Sequence, residues 1–308
     1  MVNDYLLNFH PMKFGNVPDG LLSSIDFTLP PDPAMNSSVL KGARMASPKV
    51  YVGCSNWGHK SWVNKVYPPK TPATKFRELY PLYFHAAELN ATHYNIYPPD
   101  VIAKWAEPAR GRDFKFCPKF PQSISHYSSF VRVEEQTDAF IKGISAFEEN
   151  LGPSFLQVSD NFSPLKKDPL FDYLSSLPHD LDVFLELRHP DWFMQSEQLF
   201  PALRSMNKGL VITDTPGRRD CTHMYLSMPK LMLRFVSNSD HPTVYPRIEE
   251  WARRIAQWIN AGLEEAYIFL HPGDETVIPD LTIAWIDAIN KFCGLNIKPP
   301  YLKQRELF

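Results

Sequence analysis

The sequence predicts an α/β protein built as a single (β/α)8 barrel of the TIM type, preceded by an N-terminal extension. Eight short runs of β-forming apolar residues recur after residue 48, mostly separated by stretches of helical composition. Alternation of strand and helix gives a parallel sheet. The runs are near-continuously apolar rather than alternating, as in strands buried on both faces. Eight such units over ~260 residues match the size of a closed barrel. A doubly wound open sheet is the competing arrangement, and it usually carries a Gly-rich first turn. Here the GCSNWG turn has its glycines at the wrong spacing, and glycine is scarce, at 13 residues of 308.

Residues 1 to 47 read as an irregular extension, because PDPAMNSS and KGARMAS lack periodicity and FTLPPDP excludes a long helix. Its apolar residues, Phe9, Phe14, Leu21, Leu22, Ile25 and Phe27, offer a way to coat the barrel. From Lys49 the chain changes character, and residues 48 to 298 are assigned to the barrel. VYVGCSNWG is the first strand and its turn, and Lys75 to His85 a helix. AELNATHYN is the second strand, and Pro98 to Glu107 a helix with proline where the first turn tolerates it. FKFCPK is the third strand. Phe140, Ile144, Phe147 and Leu151 make one apolar stripe, so Val133 to Leu151 reads as one helix, ended by Gly152-Pro153.

SFLQVS is the fourth strand, Pro169 to Leu177 a short helix, and LDVFLELRHPDWF the fifth strand and its loop. Gln195 to Met206 is a helix and GLVITD the sixth strand. LMLRFV is the seventh, followed by a helix from Tyr245 to Ala261. EAYIFLHPG is the eighth, and Leu281 to Cys293 the last long helix. Residues 299 to 308 form a short polar tail. Proline is abundant, at 29 residues, and Pro118, Pro190, Pro216 and Pro272 follow apolar runs. Proline removes a ladder donor, so it suits strand ends rather than strand middles.

A formal net charge of −2 gives no global attraction to nucleic acid or anionic membrane. Any basic site must be local. Cys54, Cys117, Cys221 and Cys293 have neither CxxC spacing nor a histidine at metal spacing, and are expected as small buried hydrophobes. The N-terminal residues lack a basic stretch followed by an apolar one, and no apolar run nears the ~20 residues of a bilayer span. The expectation is a cytoplasmic protein with no membrane partner. Its oligomeric state is left open.

In a barrel the strand carboxyl ends face one cleft, where such folds carry their sites. Strand one ends in Asn56 and Trp57. Strand two is expected to carry Glu88, Asn90, Thr92 and Tyr94 on one face. Strand three ends at Lys119, with His126 soon after. Strand four holds Gln157, and strand five gives Glu186, Arg188 and His189. Strand six ends at Asp214, strand seven carries Arg234, and strand eight ends at His271. Ionisable residues in apolar strands are costly unless paired or solvated in a cleft.

The expected division of labour is as follows. Lys119, Arg188 and Arg234 hold a small anionic or phosphorylated substrate, together with Asn56, Trp57, Asn90, Tyr94, Gln157 and His271. Glu88, His126, Glu186, His189 and Asp214 form the catalytic set. A histidine moves protons and a carboxylate serves as orienter or base. The bland alternative is that Glu88 or Glu186 pairs with Arg188 or Arg234 as a structural ion pair, with Glu186 the buried partner of Arg188.

Two further readings use the same residues. Glu88, Glu186, Asp214, His189 and His271 have the chemistry to hold a divalent metal, although no cofactor is firmly implied. Such a site would make a phosphoester hydrolase. Trp57, Trp62, Tyr94, Tyr97, His126 and Tyr127 lie in loops above the same face, and with the basic residues would clamp a nucleotide or single strand without catalysis.

The motifs GCSNWGHKSW…VYPP, AELNATHYNIYPP, FKFCPKFPQSISH, LELRHPDWF, ITDTPGRRD and LRFVSNSDHPTVYPRIEEWARRI occur in this order. In them the chain resembles the YecE-like family, domain of unknown function 72, over about residues 49 to 295. The resemblance implies a TIM-type barrel and no settled activity. A similarity of that barrel to metal-dependent endonucleases has been suggested, and it carries over to no residue here. The chain departs from the family in the turn after strand eight. His271-Pro272-Gly273-Asp274 stands there in place of the Asn-rich turn of many relatives.

Overall fold

The computed structural model describes residues 14–194 and 196–300. Phe9 and most of the polar tail lie outside them. Eight parallel strands stand in the order β3-β2-β1-β8-β7-β6-β5-β4: β1 (Lys49–Cys54), β2 (Ala86–Leu89), β3 (Lys115–Pro118), β4 (Ser154–Gln157), β5 (Val183–Glu186), β6 (Gly209–Asp214), β7 (Lys230–Ser237) and β8 (Glu265–Pro272). The outer strands β3 and β4 meet at isolated bridges, Phe116 to Leu151 and Lys119 to Phe155. Gly152 N donates to Phe116 O at 2.8 Å, and Phe120 N to Phe155 O at 2.9 Å. The sheet is therefore a (β/α)8 barrel with its seam between β3 and β4, and Lys119 sits on that seam.

Every residue of β2, β4, β5 and β6 is buried, as the near-continuous apolar runs require. Outward-facing side chains pack under the helices in one large core that includes Trp62, Trp251, Trp258 and Trp285. Inward-facing Tyr51, Phe155, Phe184, Met232, Tyr267 and Phe269 belong to a separate apolar cluster inside the barrel. All four cysteines are free and buried. No helix among the described residues is long and apolar enough to cross a membrane.

Two expected elements are shorter than the periodicity suggests. β2 ends at Leu89, and Ala91–Tyr94 is a helical turn. Thr92 Oγ1 there donates to a backbone carbonyl, with Leu89 O and Lys119 O both at 2.8 Å. The helix expected from Val133 to Leu151 is α-helical only over Glu134–Ile144 and continues as a 3-10 segment, Ser145–Asn150. Glu148, at φ 52° and ψ −127°, breaks the regular backbone.

Between β6 and β7 the chain makes only a 3-10 turn, Arg219–Cys221, and the extension occupies the place of a helix. On one side Arg204, in the helix Ser196–Ser205, donates to Ser38 O at 2.6 Å. On the other, Leu29 N donates to Glu250 at 2.8 Å and Trp258 Nε1 to Asp32 at 2.8 Å, both on the helix Val244–Ala261. Between them Asn36 donates to Met224 O at 2.9 Å and accepts from Leu226 N at 3.0 Å. Within it Gly15 takes φ +70°, and a Cβ there would stand 2.5 Å from Thr215 Oγ1. Glycine permits both the backbone and the close approach. The extension is thereby fastened across the β6 end of the barrel mouth.

Candidate active site at the barrel mouth

Strand alternation decides which polar groups enter the barrel. Ala86, Cys117, Phe155, Phe184, Val211, Met232 and Phe269 belong to the interior cluster. Two residues further toward the carboxyl ends, the same faces carry Glu88, Lys119, Gln157, Glu186, Thr213, Arg234 and His271. All seven are buried. The sequence thus lays a polar layer directly on an apolar one.

Arg234 is the hub of this layer. It donates from Nε and Nη2 to the two oxygens of Glu88, at 3.0 and 2.9 Å, and from Nη1 to Glu186 at 2.7 Å. Glu88 also accepts from His271 Nε2 at 2.9 Å and from Asn90 at 2.9 Å. Glu186 accepts from Arg188 Nε at 3.0 Å. Burial opposes charge on both carboxylates, but the surrounding cations outweigh it. Arg234 and His271 hold Glu88 well below the usual carboxylate range, and Arg188 and Arg234 hold Glu186 at about 2. Both are ionised at neutral pH, so the donor in the His271 contact is the imidazole.

Lys119 is bonded differently. Its ammonium donates to the side-chain oxygen of Gln157 at 2.8 Å, and no carboxylate among the described residues lies within ion-pairing distance of it. Phe155 lies below it, 5.7 Å from Nζ to the ring centre. Burial, and then the positive charge of Arg234, lower the Lys119 pKa to about 7, although Glu186 and Glu88 oppose the shift. An amine of that pKa is both base and nucleophile near neutral pH.

Two imidazoles stand by Lys119. His93 Nδ1 donates to Phe120 O at 2.8 Å, which leaves Nε2 with its lone pair in the neutral ring. Burial, followed by the Lys119 charge, pushes the His93 pKa down to about 3. His126 meets His93 edge to face, with ring centres 5.2 Å apart. Its Nδ1 lies 2.8 Å from Ser125 Oγ. Burial and the Lys119 charge lower its pKa as well.

Arg188 leads from this layer to the surface. It bonds Glu186, approaches the exposed Asp160 at 3.5 Å, and lies against the ring of Phe14, with its guanidinium carbon 4.2 Å from the ring centre. Arg218 approaches the same ring at 5.1 Å and donates to Arg188 O at 2.6 Å. The extension therefore contributes an aromatic wall to the mouth.

The other expected site residues lie elsewhere. Asp214 has the opposite parity to Thr213 and points outward, under the helix Val244–Ala261. There it accepts from Trp251 Nε1 at 2.7 Å, pairs with Arg247 at 3.1 Å and contacts Arg219. His189 accepts from Asp191 N at 3.3 Å, so its ring braces its own loop. Asn56 donates to Glu275 at 2.7 Å and shapes the first loop. Trp57 packs edge-on against Tyr80 and Phe116, in the layer outside the barrel. Trp62 is fully buried and donates to Glu275 O, so it is unable to clamp a base. Tyr94 and Tyr127 are exposed. Asn90 reaches the layer only through Glu88.

The donor set does not suit a divalent metal. The guanidinium of Arg234 takes the position between Glu88 and Glu186 that a bridging cation would need, Asp214 is outside the barrel, and His189 faces its loop. No group of three or more His, Cys, Asp or Glu among the described residues is arranged around a common centre.

The model of the family described as "Protein of unknown function DUF72" matches residues 51–296. The chain belongs to this DUF72 family. It is 27% identical over 285 residues to the UPF0759 protein YecE of Escherichia coli K12, across 84% of this chain and 100% of that protein. It is 28% identical over 153 residues to the UPF0759 protein YunF of Bacillus subtilis, across 47% of this chain and 52% of that protein. Among solved structures, a DUF72 protein of Enterococcus faecalis superposes with a TM-score of 0.60 at 15% identity, covering 82% of this chain and 100% of that one. One of Thermotoga maritima does so with a TM-score of 0.58 at 20% identity, covering 80% and 100%. These likenesses show the DUF72 fold, which is the barrel described above.

Three residues of the DUF72 mouth are absent from the expected set, and one of them left a signal in the sequence. His93 follows a strand that ends earlier than its pattern suggests. Phe14 lies about 200 positions from its partners in a segment without periodicity. Thr213 was legible, because its parity with Val211 places it inside the barrel. Its hydroxyl is buried with no hydrogen-bond partner among the described residues, beside Arg234 in the β6–β7 register.

Proposed function

We propose that the chain is an enzyme that binds a small anionic substrate at the carboxyl-end mouth of the barrel and uses Lys119 as its acid–base group. The observation that carries this reading is the Lys119 environment: a buried amine whose hydrogen-bond partner is a neutral amide, set among guanidinium groups. Arg234 and Arg188 are balanced by Glu88 and Glu186. A proton on Lys119 is therefore a surplus positive charge, and an anionic ligand would offset it in these low-dielectric surroundings. Thr213 Oγ1 offers a donor beside Arg234. Arg188, buttressed by Glu186 and Phe14, lines the approach. In the reaction the neutral amine takes a proton from the bound substrate, and Gln157 Oε1 holds the ammonium that results.

Calorimetric titration with lactate, an anion whose charge is constant across neutral pH, tests this. Binding should tighten as pH falls through about 7, because the anion favours the protonated amine. It should be lost in Lys119→Met, with the fold checked by circular dichroism. Equal affinity in the variant and the wild type would remove Lys119 from the site.

A further inference from the structure

We infer that Lys119 is a nucleophile that forms an imine with its substrate, and that the substrate is a small 2-oxo acid. This rests on the reading of the mouth as an anion-binding active site and names its chemistry. Three observations carry it.

The first is the setting of the amine. Gln157 Oε1 takes one N–H of Lys119 at 2.8 Å, and no carboxylate among the described residues holds it as an ammonium. A neutral amine so placed keeps its lone pair for a carbon electrophile.

The second is the pair of imidazoles. Imine formation needs proton carriers: one group must accept a proton from the attacking nitrogen and one must protonate the departing oxygen. His93, with Nδ1 committed to Phe120 O, presents Nε2 as a hydrogen-bond acceptor that orients the amine, while its lowered pKa leaves the proton transfer to its neighbour. His126, edge to face with it at 5.2 Å, exchanges protons with Ser125 Oγ or solvent. A lysine acting by proton transfer alone has no need of two neutral imidazoles.

The third is the charge of the neighbourhood. An iminium at Nζ would lie among the guanidiniums of Arg234 and Arg188, whose charges already bear on Lys119. A substrate that brings its own carboxylate next to the carbonyl carbon offsets that cation. An uncharged aldehyde or ketone does not. Thr213 Oγ1, buried and without a partner among the described residues, is a donor to that carboxylate.

The step balances without an oxidant or reductant. Lys119 Nζ bonds to the carbonyl carbon, and the π pair moves to oxygen, which takes a proton from solvent. The nitrogen loses a proton to the imidazole of His126, the more basic of the two. The carbinolamine C–O bond then breaks, driven by the nitrogen lone pair, and water leaves with a proton returned by the imidazole. The product is the protonated imine and one water molecule.

Reductive trapping tests the inference on the full chain. Wild-type protein is incubated with cyanoborohydride and pyruvate, glyoxylate or 2-oxoglutarate in turn, then mapped by peptide mass spectrometry. The expected result is a reduced adduct of at least one of these acids on the Lys119 peptide, at least about tenfold above any other lysine, since an amine whose pKa falls to about 7 is substantially neutral at pH 7, whereas Lys208, whose pKa is also lowered, is bonded to two backbone carbonyls. Lactate should slow the trapping, and Lys119→Arg should abolish it while the circular dichroism spectrum is unchanged. No adduct with any of the three acids, or adducts spread evenly over surface lysines, would overturn the inference. If lactate still binds in a Lys119-dependent way, only the imine fails. If lactate binding is absent too, the reading of the mouth as an anion site fails with it.

Discussion

Lys119 and Gln157 are joined across the seam of the barrel by a hydrogen bond of 2.8 Å between an amine and a neutral amide. The carboxylates that would ordinarily hold such an amine charged, Glu88 and Glu186, are claimed by Arg234 and Arg188. The ion pairs thus do more than fill the mouth. They leave one buried lysine in surplus, and its proton is held loosely.

That surplus has a cost in stability with a defined pH window. The Lys119 pKa is lowered from its ordinary 10.5 to about 7 in the folded protein. Stability from this group is therefore fully present above 10.5 and is lost as pH falls through about 7. Lys119→Met removes the dependence. In urea unfolding, the variant should gain on the wild type between pH 10 and pH 6 by on the order of a few kcal/mol. An equal difference at both pH values would show that Lys119 titrates normally.

Arg234→Met should be severe. It leaves Glu88 and Glu186, 0% and 1% exposed, buried without their shared counter-charge. Breaking a buried pair from one side costs about 3–5 kcal/mol. In the wild type the stability from these carboxylates is complete above their ordinary 4.5 and is lost as pH falls toward about 2, where Glu186 protonates. The variant should therefore unfold at lower urea and at higher pH in an acid titration. A variant with wild-type acid stability would contradict the hub assignment.

The strands and their order of polar residues were legible because buried parallel strands write themselves as apolar runs with ionisable ends. Glu186 was legible as the partner of Arg188 because the two share a strand face. The placements that differ from expectation have physical causes. A single position separates Thr213, which enters the barrel, from Asp214, which leaves it to meet Arg247 and Trp251, and an ionisable strand end does not announce its parity. Arg234 was expected either as an anion anchor or as the partner of Glu88 or Glu186, and a chain in one dimension does not show that both carboxylates converge on it. Asn90 and Tyr94 were placed on a strand that stops at Leu89, where Thr92 bonds to backbone carbonyls and favours a turn. His189 precedes a proline, and its loop fixes its ring.

The extension makes its own prediction. Phe14 lies 4.2 Å from the Arg188 guanidinium carbon, and its carbonyl accepts from Thr215 Oγ1 at 2.9 Å. Phe14→Ala should reduce stability by about 1 kcal/mol through the lost cation–π contact. It should also speed proteolysis of the segment before β1, read by mass spectrometry under limited digestion. Unchanged cleavage would mean that the ring does not fasten the extension to the mouth.

The account turns on the charge state of one amine, and its titration can be followed directly. Protein carrying 13C- and 15N-labelled lysine gives side-chain Cε–Nζ resonances by NMR, and comparison with Lys119→Met assigns the one from Lys119. The account predicts a midpoint near pH 7 for this resonance, moved upward by saturating lactate. A midpoint near 10.5, indifferent to lactate, would show Lys119 to be an ordinary ammonium and would contradict the central claim.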